Sequence, residues 1–462
     1  MGGGTTLLDD PPPVSHQIIE NWVPGTASEL RRRALAEAIL GILRNAIVDH
    51  DALEIDLAGV DPREAAIERR AVARVVVHGP DALARALVPP SGDAFAEAYL
   101  RAEVDIDGEV MAAILAVESL DIRRLRPADL RRAIRWTMEL RRGTPRPRPL
   151  ERVSRMTGAL HSRARDMDAI RFHYDLGEAF YALWLDPRLT YSCAYFPDGA
   201  TAATAADLLD EAQEAKLDLI ARKLRLGPAT RLLDIGCGWG SLLDFAAERY
   251  GSRAVGVTLS QRQADESNAR AEGVGVSDRA RALVLDYRDL ARLGTFDAVA
   301  SVGMFEHVGR ANLAAYFRAA FDALEPGGLF LNHGIAGAGP RQRPSGLRPR
   351  GNRFLQRYVF PDGELVAIED AMATARGAGF EIVDVQSLRA HYALTLAAWV
   401  ARLEANWATA VAAAGEEVAR TWRLYMSAAR LGFERGDLDV CQLLLAKPAD
   451  GRPAQTPLRP WW

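Results

Sequence analysis

The segment LLDIGCGWG at residues 232–240 contains the first residues whose types and spacing indicate chemistry. It predicts a strand-to-helix turn, where glycine lets backbone amides approach a ligand and the helix N-terminus favours negative charge. A bare glycine turn is also compatible with a dinucleotide or with no ligand at all. However, the third glycine stands four residues after the first, rather than five as in pyrophosphate-binding turns, which favours the amino-acid end of S-adenosylmethionine. The predicted contacts are Asp234, Gly236, Gly238 and Gly240.

The end of the next predicted strand should meet the ribose of such a ligand. It reads VTLSQRQ at residues 257–263 and lacks the acidic residue usual in dinucleotide domains. Neutral side chains would therefore supply the hydrogen bonds, although Ser260 with Gln263 also fits an ordinary helix cap. The predicted contacts are Thr258, Leu259, Ser260 and Gln263.

A third set of polar residues follows the third strand, where an adenine ring would lie. Asp286 could accept a hydrogen bond from the exocyclic amine, and Tyr287 could pack on the ring. Arg288 directly follows these two residues. We therefore include Asp286, Tyr287 and Arg288 among the predicted cosubstrate contacts.

The elements that must position these residues form an alternating pattern of short apolar runs and helical stretches from about Leu226 onward. This pattern predicts a parallel sheet covered by helices on both faces. A helical stretch near Glu364–Ala378 and a long amphipathic one from Tyr392 to about Phe433 follow a basic loop at 341–357. The seven predicted strands are residues 231–236, 254–259, 280–286, 296–302, 328–333, 380–385 and 440–447.

The first part of the chain has a different pattern and predicts a separate α+β domain over residues 28–140. Short strands are expected at 52–57, 73–79 and 103–108, between helical stretches. No nucleophile, metal cluster or glycine-rich loop is recognisable here, so a scaffold or binding role is expected. The other predicted segments are a flexible N-terminus at 1–27, an extended, solvated Pro/Arg-rich linker at 141–165, a catalytic domain at 166–450 and a tail at 451–462.

Composition and charge narrow the class of protein. With 462 residues, 49% hydrophobic and 26% charged, the chain is typical of a multidomain globular protein. Its three cysteines are widely spaced, which favours a reducing compartment, and no metal site is expected. We find no apolar run of membrane-spanning length and no secretory signal, so a cytoplasmic location is predicted. The net charge of −4 argues against nucleic acid as a partner.

Arginine is unevenly distributed. Residues 121–165 hold 14 arginines and four acidic residues, a local net charge of +10. The run is explained equally well by a solvated charged surface and by contact with an anionic partner. Guanidinium groups suit bidentate contact with phosphate.

Beyond the glycine turn, the sequence resembles the cyclopropane-fatty-acyl-phospholipid synthase family over about residues 165–447. The resemblance implies a seven-stranded, Rossmann-like class I methyltransferase domain preceded by a smaller α+β lipid-binding domain. A homodimer is compatible with it. The segments that carry it occur in order: FHYDLGEAFYALWLDPRLTYSCAYF (172–196), LLDIGCGWG, GVTLSQRQ, DYRDL (286–290), SVGMFEHVG (301–309), YVFPDGEL (358–365) and HYALTLAAW (391–399).

The resemblance implies transfer of a methylene group from S-adenosylmethionine to a cis double bond in a phospholipid acyl chain. A sulfonium methyl needs alignment and a dry pocket rather than a protein nucleophile. The carbocation formed would be stabilised by aromatic faces, for which Phe172, His173, Tyr174 and Tyr191 are candidates. Tyr191 and Ser192, in the YSCAYF segment, are further expected cosubstrate contacts.

In similar enzymes, a bound bicarbonate ion removes the proton that closes the ring. Glu306 would accept a hydrogen bond from its hydroxyl group, while His333 and Tyr392 would donate to its oxygens. The backbone of Cys193 and of Ile335 would complete the site. All five positions match the family motif. The adjacent Glu306 and His307 also resemble half a metal site, but short ligand spacing is missing.

The expected lipid substrate gives the arginine-rich segments a function, namely peripheral attachment to the anionic inner face of a membrane. Three alternatives remain at this stage. The product could be a methyl- or methylene-branched chain, the substrate could be a small amine, or the chain could be a non-catalytic lipid-binding module with a degenerate methyltransferase fold.

Overall fold

The computed structural model describes residues 26–46, 53–57, 72–87, 91–119, 121–337, 353–449 and 452–462. The predicted flexible start falls almost wholly outside these residues, as does the basic loop up to residue 352. The chain divides into two compact units, Met1–Arg148 and Pro149–Trp462.

The first unit contains a three-stranded sheet in the order β1-β2-β3. Strands β1 and β2 are parallel, and β3 pairs antiparallel with β2. Alternate residues of β2 are buried, as the alternating sequence predicts. Its elements are α1 (Ala27–Arg44), β1 (Leu53–Leu57), β2 (Ala73–Val77), α2 (Pro80–Leu87), α3 (Gly92–Leu100), β3 (Val104–Gly108), α4 (Val110–Glu118) and α5 (Pro127–Arg142).

The second unit is built on one large, mostly parallel sheet, which confirms the predicted fold class. Across the described residues its strand order is β10-β11-β8-β7-β4-β5-β6, and the two-residue strand β9 pairs with β8 at the side. Only β11 runs antiparallel to its neighbours. The strands are β4 (Arg231–Ile235), β5 (Arg253–Thr258), β6 (Ala280–Val284), β7 (Phe296–Val302), β8 (Leu324–Gly337), β9 (Val366–Ala367), β10 (Glu381–Ser387) and β11 (Leu438–Ala446).

Helices cover both faces of this sheet and bury two apolar cores against it. The long helical stretch predicted from Tyr392 is divided into three helices, the last break falling at Gly415, whose φ of +88° no helix accommodates. The helices are α6 (Arg163–Tyr174), α7 (Glu178–Tyr181), α8 (Ala205–Lys223), α9 (Ser241–Tyr250), α10 (Gln261–Gly273), α11 (Leu313–Asp322), α12 (Arg353–Tyr358), α13 (Ile368–Gly377), α14 (Arg389–Ala405), α15 (Trp407–Ala414) and α16 (Glu416–Arg435).

The strand order places a crevice at the carboxyl ends of β4 and β7. From β4 the chain continues to β5 and β6 in one direction along the sheet, and from β7 to β8 in the other. Ligands of open α/β sheets bind at such a reversal, outside the carboxyl ends of the strands. The fold therefore brings the glycine turn after β4 next to the segment after β7.

The predicted linker differs from a solvated chain. It begins inside α5 and ends inside α6. Residues up to Arg148 belong to the first unit, where the Arg101 guanidinium donates to the Arg148 carbonyl at 3.0 Å, and residues from Pro149 belong to the second. The backbone amides of Glu151 and Arg152 each donate to the Glu417 carboxylate at 2.9 Å. The Arg152 guanidinium lies 4.1 Å from the Phe172 ring centroid, and its burial lowers its pKa. Aromatic faces can attract a guanidinium in this way, so Arg152 is held against the protein although most of residues 145–151 are exposed.

The C-terminal tail is likewise attached to the second unit. The Trp461 indole donates to the Arg222 carbonyl at 3.0 Å, and the Arg225 guanidinium lies 3.8 Å from its ring. Trp461 and Trp462 pack against the apolar core next to α8. Among the helices of the described residues, none combines the length and apolar character needed to cross a bilayer.

Candidate active site

The glycine turn between β4 and α9 requires its glycines. Gly236 has a φ of +83°, and a Cβ there would lie 2.8 Å from the Met304 side chain. Gly240 has a φ of +84°, and its Cβ would lie 2.1 Å from the Ser267 hydroxyl. Both positions therefore require glycine, because the positive φ disfavours other residues and because a Cβ would clash with a neighbouring side chain.

A cavity lies against this turn, beyond the carboxyl ends of β4, β5 and β7. Ten of the thirteen residues predicted to contact the cosubstrate line it, from all four predicted sequence segments. These residues are Tyr191, Ser192, Asp234, Gly236, Gly238, Thr258, Leu259, Gln263, Tyr287 and Arg288.

The other three predicted contacts do not line the cavity and shape its wall instead. Gly240 is the N-cap residue of α9. Ser260 caps α10, because its hydroxyl accepts from the Gln263 amide at 3.2 Å. The Asp286 carboxylate accepts from the backbone amide and the side chain of Arg288, at 2.9 and 2.7 Å. The expected contact between Asp286 and an adenine amine therefore competes with an ion pair inside the protein.

The side chains of Thr258 and Gln263 form a buried neutral pair at the end of β5. The Thr258 hydroxyl donates to the Gln263 amide oxygen at 2.7 Å. The same hydroxyl oxygen accepts from the Ser260 amide at 3.2 Å. This pair stands where a dinucleotide domain has its acidic residue, so the site can meet ribose hydroxyls without a negative charge.

Helix α6 presents one stripe of residues to the cavity, namely Asp166, Ile170 and Tyr174. Their spacing of four residues places them on one helix face. Of the three adjacent aromatic residues predicted to face the substrate, only Tyr174 lines the cavity. Phe172 packs against Arg152, and His173 is fully buried behind the wall. Successive helical residues point in different directions, which explains why the three cannot act together.

His173 contacts the cavity indirectly, through Tyr191. Its Nδ1 donates to the Val359 carbonyl at 2.8 Å, so Nε2 is free to accept from the Tyr191 hydroxyl at 3.2 Å. The rings of His173 and Tyr191 are nearly parallel, with centroids 5.5 Å apart. Burial lowers the pKa of His173 well below its ordinary value, which keeps this ring neutral. His173 is thus placed to orient Tyr191.

Glu306 lies in a short turn directly after β7 and is buried. Its Oε1 accepts from the Ile335 backbone amide of β8 at 2.5 Å. Its Oε2 is also buried, and no donor reaches it from the described residues. Burial raises the pKa of Glu306 to about 7, and the Ile335 hydrogen bond opposes this shift. Burial thus favours the protonated form of this carboxyl group.

His333 lies on β8 beside the end of β7. Its Nδ1 is 3.3 Å from the Gln442 side-chain nitrogen, which donates to it. The neutral imidazole then carries its proton on Nε2, and this buried atom has no partner among the described residues. Burial lowers the pKa of His333 to about 3, so the ring is a neutral donor.

Tyr392 and Cys193 complete the set predicted for catalysis. Tyr392 is buried at the start of α14, and both Cys193 and Glu306 act electrostatically on its hydroxyl. The Cys193 thiol donates to the Ala194 carbonyl at 3.2 Å, and its burial raises its pKa. Cys193 is thus a protonated, hydrogen-bonded thiol and not a nucleophile.

These catalytic candidates lie behind the cavity wall rather than in it. Gly303, Met304 and His307, which flank Glu306 in the chain, line the cavity. The Gly303 amide donates to the His333 carbonyl at 2.9 Å, which joins the two segments. Glu306 also acts electrostatically on Tyr174 in the cavity wall. The structure thus places Glu306 and His333 next to the cosubstrate cavity, in adjacent segments after β7 and along β8.

Sequence reasoning missed several residues of the cavity wall, including Lys216, Trp239 and Asp166. Trp239 sits within the glycine motif, and its ring centroid lies 4.8 Å from that of Tyr181. Lys216 had a usable signal, because lysine accounts for only three of 57 basic residues. Within the described part of the chain, no group of three or more His, Cys, Asp or Glu side chains is arranged to hold a metal ion.

Comparison with known proteins agrees with this geometry. The family model described as mycolic acid cyclopropane synthetase matches residues 161–443. A probable fatty acid methyltransferase from Pseudomonas putida is 41% identical over 79% of this chain and 85% of its own length. The cyclopropane-fatty-acyl-phospholipid synthase of Escherichia coli is 36% identical over 65% of this chain and 74% of its own.

A solved structure of mycolic acid cyclopropane synthase CmaA1, complexed with SAH and CTAB, is also similar. It has 37% sequence identity and a TM-score of 0.55, covering 61% of this chain and 98% of that one. The fold and cavity are those of an S-adenosylmethionine-dependent class I methyltransferase. The chain belongs to the mycolic acid cyclopropane synthetase family, whose chemistry is methylene transfer from S-adenosylmethionine to lipid.

The buried Glu306 generates a stability prediction. Its pKa is about 7 in the folded state and its ordinary value is 4.5, so folding favours the protonated form. Ionised Glu306 destabilises the folded state increasingly as pH rises between these values. Replacing it by Gln mimics the protonated form. We therefore compare the free energy of unfolding of E306Q with that of the wild type at each pH. The difference, E306Q minus wild type, should be about 2–3 kcal/mol larger at pH 8 than at pH 4.

Urea unfolding of both proteins across this pH range measures the effect. The exposed Glu211→Gln replacement serves as the matched control and should leave the pH profile unchanged. Parallel profiles for wild type and E306Q would show that Glu306 is not buried as described.

Proposed function

We propose that this enzyme adds a methylene group to the cis double bond of a phospholipid acyl chain and forms a cyclopropane ring. The observation that supports this best is the set of buried polar atoms next to the cosubstrate cavity. Glu306 Oε2 and His333 Nε2 are an acceptor and a donor without protein partners among the described residues. Buried polar atoms are normally hydrogen-bonded, so such a pair indicates a ligand.

The cavity fits S-adenosylmethionine, which supplies an electrophilic methyl group when bound. Asp234 Oδ1 is buried without a donor among the described residues, as expected where a ligand ammonium binds. Thr258 and Gln263 lie where ribose hydroxyls are bound in this fold. The wall of the cavity also contains Ile235, Leu242 and Val257, whose apolar side chains exclude water.

The aromatic part of the wall suits a reaction that creates positive charge. Tyr174 lines the cavity, and its ring lies 6.0 Å from Tyr191 and 6.1 Å from Trp239. Aromatic faces attract cations, most strongly where water is excluded. Glu306 adds negative charge behind Tyr174. These residues stabilise a developing cation without offering it a nucleophile.

The unpartnered buried atoms of Glu306 and His333 support binding of a bicarbonate ion, which would supply a weak base for proton removal. Glu306 Oε2 would accept its hydroxyl hydrogen, and His333 Nε2 would donate to one of its oxygens. The Tyr392 hydroxyl would be a second donor. The Ile335 amide already donates to Glu306 Oε1, so here it orients the carboxylate. The backbone of Cys193 remains a further candidate ligand.

Lipid analysis tests the product. We expect a host with cis-unsaturated phospholipids, expressing this chain, to accumulate acyl chains that gain one CH2 and lose the alkene. The Gly236→Val variant, which blocks the cosubstrate turn, is the control and should leave the lipids unchanged. A retained double bond on the enlarged chain would show methyl or methylene branching instead.

We further propose that the enzyme acts in the cytoplasm, attached peripherally to an anionic membrane through α5. The buried face of this helix contains Ala133, Thr137 and Leu140. The opposite face exposes arginines and apolar side chains together. Ile134 is 57% and Met138 47% exposed. The exposed arginines of this face are Arg131, Arg135 and Arg142, and no ion pair is found for them within the described residues.

Other arginines of the 121–165 segment are less available for a membrane. Arg152 packs on Phe172, while Arg163 and Arg165 form ion pairs with Asp289 and Asp362. This difference removes Arg152, Arg163 and Arg165 from the predicted basic surface. Each basic residue near an anionic bilayer contributes about 1 kcal/mol, so binding should be salt-sensitive.

Charge reversal of α5 tests this attachment. The triple variant R131E/R135E/R142E should lose most sedimentation with anionic phospholipid vesicles, because about 3 kcal/mol of attraction becomes repulsion. The matched control R253E/R281E/R292E makes the same charge change at exposed arginines of the second unit and should still bind. Equal sedimentation of the two variants would contradict attachment through α5.

A further inference from the structure

Lys216 is a buried lysine in the cavity wall that the reaction described above does not use. It lies on α8, is 1% exposed and lines the same cavity as Asp234. Its ammonium group donates to the Ser192 hydroxyl at 2.9 Å. Burying an ammonium group costs several kcal/mol unless another charge or ligand compensates.

The protein itself supplies little compensation. No carboxylate lies within 4 Å of the Lys216 ammonium group in the part of the chain that the structure describes. The acidic groups that act on it are Asp186, Cys193 and Asp234. Asp186 is already engaged, because its carboxylate accepts from the Thr190 amide at 2.7 Å and the Thr190 hydroxyl at 3.1 Å. Cys193 is a neutral thiol.

Asp234 is a buried acidic residue in the same cavity wall that also lacks a charged partner among the described residues. It is 2% exposed, and its Oδ1 is buried with no donor from the described residues. Lys216 and Asp234 influence each other electrostatically, but they form no ion pair in the structure. Besides the ion pair between Asp166 and Arg288, the cavity wall therefore presents one lysine and one aspartate with unused hydrogen-bonding capacity. A zwitterion, such as the α-amino acid end of S-adenosylmethionine, has the matching pair of charges.

We propose that Lys216 binds the α-carboxylate of S-adenosylmethionine, while Asp234 binds the α-ammonium group. This inference rests on the use of S-adenosylmethionine by the family. Lysine suits the position because it is a compact point charge, whereas a guanidinium is wider and planar. The Ser192 hydroxyl, which lines the cavity, holds the Lys216 ammonium group by a hydrogen bond. Lys216 thereby makes the site specific for a cosubstrate that retains its carboxylate.

The test compares S-adenosylmethionine with decarboxylated S-adenosylmethionine, which lacks only the carboxylate, by isothermal titration calorimetry. The wild type should bind S-adenosylmethionine about 10- to 100-fold more tightly, as expected for one charge-assisted hydrogen bond. The K216M variant should lose this preference because its affinity for S-adenosylmethionine falls. K216Q, which keeps a donor for Ser192 without the charge, should lose it as well.

Two controls separate the direct role from a structural one. D234N should weaken binding of both compounds by a similar factor, since both retain the ammonium group. R222M, which removes an exposed cation of the same helix that does not line the cavity, should keep the preference for the carboxylate. If the wild type binds both compounds equally, or if K216Q retains the wild-type preference, the proposal is wrong. If the wild type binds neither compound, the cosubstrate assignment itself fails, which is a different result.

Discussion

The second unit depends on a constraint that its sheet imposes, namely that it buries polar side-chain atoms in and next to the cavity without hydrogen-bond partners among the described residues. Asp234 lies on β4, Glu306 in the turn after β7, and His333 on β8. Atoms of all three are buried and have no hydrogen-bond partner among the described residues. Unsatisfied buried groups cost stability, and a rigid scaffold can bear that cost where the groups serve a ligand. The strands of the sheet hydrogen-bond the surrounding backbone groups to one another, and this keeps the three side chains in place.

The aromatic layer around the crevice has a complementary function. Tyr174 faces the cavity, while His173 and Trp184 pack behind Tyr191. The layer excludes water, and the neutral His173 fixes the direction of the Tyr191 hydroxyl. The segment around Arg152 packs on the outside of this layer, against Phe172 and Trp422. The chain preceding the family match at residue 161 therefore contributes to the surroundings of the site.

Sequence patterns predicted the framework of the site well, because backbone requirements leave clear traces in sequence. The glycine motif and the alternation of apolar runs identified the turn after β4 and all seven main strands. The division of the helical stretch at Gly415 was missed, since a single glycine is a weak signal within a strongly helical segment. Side-chain orientation was harder to predict. Phe172, His173 and Tyr174 are adjacent in sequence, but only helix geometry decides that Tyr174 alone lines the cavity.

The structure differs from the sequence predictions mainly where a side chain contacts a partner that is distant in sequence. Arg152 packs on the Phe172 ring, and Arg288, which binds Asp286, also pairs with Asp166 of α6. Ile335 was expected to bind bicarbonate directly, whereas its amide donates to Glu306. Lys216 was overlooked because a lysine in a helix is ordinarily exposed. Such contacts depend on packing between elements, which composition and periodicity do not encode.

Removal of the proton by a small anion, held by Glu306, His333 and Tyr392, is the step on which the proposed reaction depends. The most direct measurement is the initial rate of methylene transfer to phospholipid vesicles in buffer freed of carbon dioxide. We expect the rate to fall on depletion and to be restored in a saturable manner by added bicarbonate, but not by chloride at equal ionic strength. An unchanged rate after depletion would contradict this mechanism, because a group of the protein would then have to act as the base.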